Sequence, residues 1–323
     1  MFLIIGAIII AAFVAICTYL YLIQTRSDQQ QNKAENYTEE EINCSQEDDY
    51  TQEEIKVYEE QDDNQAITID PELSETYYHR ANATYDRKDY QKVIEDYNLA
   101  IEYNPQFAKA YNNRGNTYYS LGEYQKAVED YTQAININSQ LYRSYYNRAN
   151  ANYALEKYQQ AIEDYSQAIE IKTDYAEAYN NRGIVNQKLK NSQAALEDYS
   201  QAIEIKTDYA EAYNNRGNLY YDLQKYRQAI EDYNQAVARD EDDSKAYNNR
   251  GNALYEIEQY PEAEKDYTEA ITLDPNYAEA YYNRGLVYRK MNKIQTANLD
   301  FETAKQLSQE QQNFSLYERL KNV

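Results

Sequence analysis

Seven arginines recur every 34 residues: Arg80, Arg114, Arg148, Arg182, Arg216, Arg250 and Arg284. Seven aspartates follow at the same interval, sixteen residues after each arginine: Asp96, Asp130, Asp164, Asp198, Asp232, Asp266 and Asp300. A guanidinium and a carboxylate held at fixed spacing make a charge-assisted, two-pronged bond, which is structural chemistry rather than catalysis. The spacing predicts one ion pair per unit, setting the register of two helices. The competing arrangement lets each arginine snorkel to solvent along its aliphatic stem. A second periodic set consists of amides. Asn113, Asn147, Asn181, Asn215, Asn249 and Asn283 form one row, with His79 at the equivalent place in the first unit. Three residues on, Asn82, Asn116, Asn150, Asn218 and Asn252 form another, interrupted by Ile184 and Leu286. A carboxamide carries two donors and an acceptor atom, the complement of a peptide group. Spaced regularly, such groups can follow an extended backbone while ignoring its side chains. The alternative is that the amides only solvate the surface or cap neighbouring turns.

Other chemistries lack their residues. His79 is the sole histidine, and no serine or cysteine nucleophile pattern accompanies it, so it reads as surface lining rather than a base. Cys17 and Cys44 form neither a disulfide framework nor a metal spacing. There is no nucleotide-binding glycine-rich loop. No catalytic residue, metal ligand or cofactor is assigned, no small-molecule substrate is expected, and the chain reads as a non-enzyme.

The periodic residues must sit on helices. In the second unit Tyr124, Ala127, Val128, Tyr131, Ala134 and Ile135 fall at i, i+3, i+4, i+7, i+10 and i+11, one apolar stripe of helical period. An earlier helix places Tyr111, Gly115 and Tyr118 on one face, with Gly115 permitting close approach. Asp174 with Glu177, Asp208 with Glu211, and Asn276 with Glu279 have the form of capping boxes. The block EDYSQAIEIKTDYAEAYNNRG occurs identically at 163–183 and 197–217, a mark of internal duplication. The units run 74–107, 108–141, 142–175, 176–209, 210–243, 244–277 and 278–311. Scarce glycine and proline, 7 and 4 residues, disfavour a turn-rich β fold, so the class is all-α.

These residues resemble the tetratricopeptide repeat family, whose pattern places aromatics at positions 4, 11 and 24 and small residues at 8, 20 and 27. Tyr fills position 4 and Ala fills position 27 in every unit. Departures are Tyr for Trp throughout, Arg for Leu at position 7, and Pro at position 32 only at Pro105 and Pro275, besides Pro71 before the first unit. The resemblance implies helix pairs stacked into a right-handed superhelical solenoid with a concave groove. It also implies that Asn113, Asn116, Asn147, Asn150, Asn181, Asn215, Asn218, Asn249, Asn252 and Asn283 match the peptide-binding asparagine ladder of some members. Mixed charges at position 2 (Glu75, Lys109, Arg143, Glu177, Glu211, Lys245, Glu279) would add specificity. The two-carboxylate clamp of chaperone-tail-binding members is not matched, because position 5 is Tyr or Asn and position 6 is never Arg. The wording of the repeats is similar to cyanobacterial and plastid members with an N-terminal membrane span, some of which assist photosystem assembly. The expected function is a scaffold that binds a partner protein or extended peptide; the alternative is an assembly factor for a membrane complex.

Outside the repeats, Phe2 to Ile23 carries no charge and is long enough, at about 1.5 Å per residue, to cross a bilayer as a helix. It lacks the basic start and small-x-small site of a cleaved signal, and Ile16 spoils a lipobox at Cys17. Residues 1–26 are therefore expected to form one transmembrane anchor of a single-pass membrane protein. Arg26 and Lys33 after the span place the repeats on the cytoplasmic or stromal side. Residues 27–52 read as a disordered acidic linker, either a spacer or a tail for a basic partner. Residues 53–73 read as a degenerate half-repeat or N-cap, and 312–323 as a C-terminal capping helix. The net charge is −23, and residues 27–73 alone carry 16 acids against 2 bases. Such a surface repels phosphate backbones, so nucleic acid is excluded as a partner.

Overall fold

A computed structural model describes residues 70–321. The anchor, the linker and all but the last residues of the half-repeat lie outside the described residues. Within them, no helix is long and apolar enough to cross a membrane.

Fifteen helices follow one another among the described residues, with no strand between them. The pairs are α1 (Pro71–Tyr85) and α2 (Tyr90–Tyr103), α3 (Ala108–Ser120) and α4 (Tyr124–Ile137), α5 (Tyr142–Ala154) and α6 (Tyr158–Ile171), then α7 (Ala176–Lys188) and α8 (Ser192–Ile205). The series continues with α9 (Ala210–Asp222) and α10 (Tyr226–Arg239), α11 (Ser244–Glu256) and α12 (Tyr260–Leu273), α13 (Ala278–Lys290) and α14 (Ile294–Glu310), and ends on α15 (Phe314–Leu320). Each helix packs on the one before and the one after, and first helices of neighbouring repeats also touch. This is an all-α solenoid in which each repeat buries its apolar face against the next.

The packing follows the small positions. Ala100, Ala134, Ala168, Ala202 and Ala270 are fully buried, so the helices approach closely there. At position 8, a Cβ on Gly217 would stand 2.7 Å from the Tyr233 ring, so glycine lets that ring lie flat against the first helix. The first and third repeats hold Ala81 and Ala149 at this place, both fully buried. The tyrosines at position 24 form the repeated core: Tyr131, Tyr199, Tyr233 and Tyr267 are at most 1% exposed. Leu316 and Leu320 of α15 cover the last repeat's Phe301 and Ala304.

One local feature differs from expectation, and a second was not anticipated. The three capping boxes do not form. Helices α7, α9 and α13 start one residue later than the boxes need, with Tyr175, Tyr209 and Tyr277 at the N-cap and no side-chain cap bond. Tyr175 instead packs its ring against Tyr142 and Tyr146. The displaced glutamates find other partners: Glu211 accepts from Asn180 of the preceding repeat at 3.3 Å and Glu279 from Asn313 of the cap at 2.6 Å, while Glu177 lies 3.6 Å from Lys206 of its own repeat. Side-chain caps appear at Asp70, Asp89, Asp243 and Asn313. The second feature is the turn inside each repeat. Position 15 is left-handed throughout (Lys88, Glu156, Lys190, Gln224, Glu258 and Asn292, besides Gly122), with φ of 58 to 75°. From the second repeat on, the next N–H then reaches back to the carbonyl at position 11, as Lys225 does to Tyr220 at 2.8 Å, which closes the first helix.

Burial has a consequence at high pH. It raises the phenols of Tyr131, Tyr199, Tyr233 and Tyr267 above the ordinary value of 10.0. Burial, with Glu256 second, pushes Tyr221 up to about 12, and burial with Glu279 does the same for Tyr277. A phenol raised in the folded state favours the fold fully below pH 10, and that contribution drains away as pH climbs through 12. Alkaline titration is therefore expected to show phenolate absorbance and loss of helical circular dichroism rising together above pH 10. Complete phenol ionisation with intact helices would contradict it.

Candidate functional site

The first helices carry both periodic sets, and the two do different work. At position 7 each arginine forks onto the aspartate of its own second helix through Nε and Nη2, at 2.6 to 3.2 Å in all seven repeats. The aspartates are nearly buried, for example Asp232 at 5%. The hydrogen bond and charge of Asp232 raise the Arg216 pKa despite the opposing effect of burial.

Two further contacts of these arginines were not anticipated. Each guanidinium lies over the position-4 tyrosine of its own helix, Arg80 on Tyr77 through Arg284 on Tyr281, at 4.9 to 5.8 Å. That tyrosine is thus an aromatic floor for the cation as well as a core residue. From the second repeat on, Nη1 also donates to the preceding repeat at 2.6 to 3.2 Å: Arg114 to Asn98, Arg148 to Thr132, Arg182 to Ser166, Arg216 to Ser200, Arg250 to Asn234 and Arg284 to Thr268. The signal for this was present at position 25, always a small polar acceptor in repeats 1–6, each of which precedes such an arginine, and Glu302 in the seventh, after which comes α15.

The amide rows are tied to one another. The position-6 Nδ2 donates backwards to the position-9 Oδ1 of the preceding repeat at 2.9 to 3.3 Å: Asn113 to Asn82, Asn147 to Asn116, Asn181 to Asn150, Asn249 to Asn218 and Asn283 to Asn252. It also donates to the residue at position 5 there, including Asn215 to Asn180 at 3.1 Å. The same position-9 Oδ1 accepts the hydroxyl of the buried tyrosine on its own second helix: Tyr97, Tyr131, Tyr165, Tyr233 and Tyr267 donate to Asn82, Asn116, Asn150, Asn218 and Asn252. Position 6 is therefore an inter-repeat staple, and Asn113 is buried. His79 lies on the exposed surface of α1, edge-on to Tyr78.

This network leaves a definite polarity. Each position-9 amide has its oxygen engaged twice, while its NH2 makes no protein bond among the described residues. These asparagines are half-buried, and no fully buried side-chain nitrogen or oxygen lacks a partner. The five NH2 groups therefore face solvent as a row of donors. The Oδ1 atoms of Asn147, Asn215, Asn249 and Asn283 are likewise uncommitted and supply acceptors. Among the described residues no cluster of His, Cys, Asp or Glu could hold a metal.

Comparisons with known proteins agree with this geometry. A TPR repeat family model matches residues 81–122, 149–190, 191–224 and 251–292. Tetratricopeptide repeat models match 108–141, 210–243 and 278–311. No curated protein matches. Among solved structures, a tetratricopeptide repeat protein from Parabacteroides merdae is 20% identical with a TM-score of 0.61, the match covering 77% of this chain and 99% of that one. PilF of Pseudomonas aeruginosa is 18% identical with a TM-score of 0.58, covering 67% and 96%. At these identities the likeness concerns the fold. With the 34-residue period, the paired helices and the matched segments in agreement, the chain belongs to the tetratricopeptide repeat family.

Proposed function

We propose that the chain is a protein-binding scaffold whose first helices take an extended polypeptide segment along the two asparagine rows. The observation that carries this is the row of uncommitted NH2 groups on Asn82, Asn116, Asn150, Asn218 and Asn252, whose oxygens are engaged inside the fold. Carbonyl oxygens of an extended chain are the matching acceptors, and position-6 oxygens such as Asn249 Oδ1 match its N–H groups. In the same proposal, Phe2 to Ile23 tethers the scaffold to a membrane and the acidic segment spaces it from the surface. An assembly factor for a membrane complex would use the same groove and differ in releasing its partner.

The test must spare the staples, so it changes position 9 and not position 6. Asn116→Asp, Asn150→Asp and Asn218→Asp together keep the oxygen that serves the tyrosine and the next repeat but remove the outward donors. Detergent-solubilised full-length protein is used to select binders from random displayed peptides, and their affinity is then compared on the triple variant. A net hydrogen bond contributes about 1 kcal/mol, so three lost donors predict a loss of about 100-fold with little change in thermal melting. Undiminished binding by the variant would remove the groove from the account.

A further inference from the structure

The position-9 row is not uniform, and its two exceptions alter the groove in a consistent way. In the fourth repeat Ile184 stands where the neighbours carry Asn. The buried hydroxyl of Tyr199, deprived of that partner, donates instead to Gln187 Oε1 at 2.9 Å. In the seventh repeat Leu286 takes the place, and there the second helix carries Phe301, which has no hydroxyl to satisfy. The internal bonding is thus rearranged around each apolar residue. Both are half-buried, Ile184 beside Tyr199 and Leu219, Leu286 beside Tyr282 and Phe301.

We propose that Ile184 and Leu286 are specificity positions, selecting an extended polypeptide that presents two apolar side chains about eight residues apart. The inference rests on the groove reading above and gives the partner its chemistry. At the five asparagine rungs a backbone carbonyl finds a donor. At Ile184 it would lose water and gain nothing, which disfavours a carbonyl there and favours an apolar side chain. Leu286 repeats the condition three rungs further on. First helices of neighbouring repeats are in contact, which sets rungs about 8–10 Å apart, or about 24–30 Å over three. An extended chain advances about 3.3 Å per residue and covers that span in about seven to nine residues, of which a separation of about eight turns both side chains to the same face.

The experiment selects random displayed peptides of about 15 residues, long enough to span both anchors, on the full-length wild type in detergent. It then measures synthetic copies against the Ile184→Asn, Leu286→Asn variant. Retained peptides are expected to carry two of Leu, Ile, Val, Met or Phe at the stated separation and to bind the variant at least about tenfold more weakly. Ile184→Asn recreates the set found at five other rungs. Should Leu286→Asn fail to fold by circular dichroism, Ile184→Asn alone decides, through peptides in which either anchor is changed to Ser. Retained peptides without the pair, or with equal affinity for wild type and variant, overturn this inference. If those same peptides still lose binding on the Asn116→Asp, Asn150→Asp, Asn218→Asp protein, the groove reading survives. Retention of no peptide by the wild type overturns both.

Discussion

Arg216→Met is expected to cost about 3–5 kcal/mol of stability, because it strands the nearly buried Asp232 carboxylate. The fifth repeat is the cleanest place to see this. In the third and fourth repeats Asn152 and Asn186 also donate to the aspartate, at 3.1 and 2.9 Å, and would soften the loss. The fifth has Tyr220 at that position instead. The larger part of the cost is the desolvated anion left without its cation, so the pair's net worth is smaller than the single variant suggests. Arg216→Met combined with Asp232→Leu is therefore expected to recover most of the stability, and can recover all of it. Chemical denaturation of the four proteins of the cycle measures both terms. A cost below about 1 kcal/mol for the single variant would place this pair with solvent-exposed ones.

Tyr267→Ala should be comparably severe, about 3–5 kcal/mol, since it empties a fully buried aromatic site between the two helices of the sixth repeat. The ring fills the space left by Gly251, where a Cβ would stand 2.7 Å away, and a glycine cannot move in to replace it. Tyr267→Phe removes only the hydroxyl bond of 2.8 Å to Asn252, whose oxygen still accepts from Asn283 at 3.0 Å. That change is expected to cost about 1 kcal/mol, and Phe301 shows that the site accepts the ring alone. Because each repeat contacts only its neighbours, hydrogen exchange should quicken most in α11 and α12 and in α10 and α13 packed against them. Uniform quickening along the whole solenoid would instead mark one global cooperative unit.

Much of this architecture was legible in the order of residues. The 34-residue period and the apolar stripe at 124–135 follow from helical geometry, since both concern residues on one helix or its partner. The spacing of Arg114 and Asp130 belongs to the same class, being local to one helix pair. The turns were less legible. One glycine, Gly122, announces the left-handed position, while Lys, Glu, Gln and Asn fill it elsewhere because the surrounding bonds hold them there. The capping boxes failed for a related reason: Tyr175, at the N-cap of α7, packs edge-on and tilted against Tyr142 and Tyr146 of α5, a contact between helices that local spacing does not show.

The asparagine rows show where one-dimensional reading ends. Helical periodicity puts positions 6 and 9 on the face opposite the intra-repeat core, but the rotation between repeats decides what that face meets. That rotation brings Asn147 against Asn116 and Asn181 against Asn150, and so turns one row into staples. It also aims the third N–H of Arg216 at Ser200 in the repeat before. The amides' residue types and spacing were written in the chain. Which end of each amide is spent inside the fold, and which is left to a partner, depends on the tyrosine 15 residues on in the same repeat and on neighbours 31 to 35 residues away, and the latter meet only once the repeats have stacked.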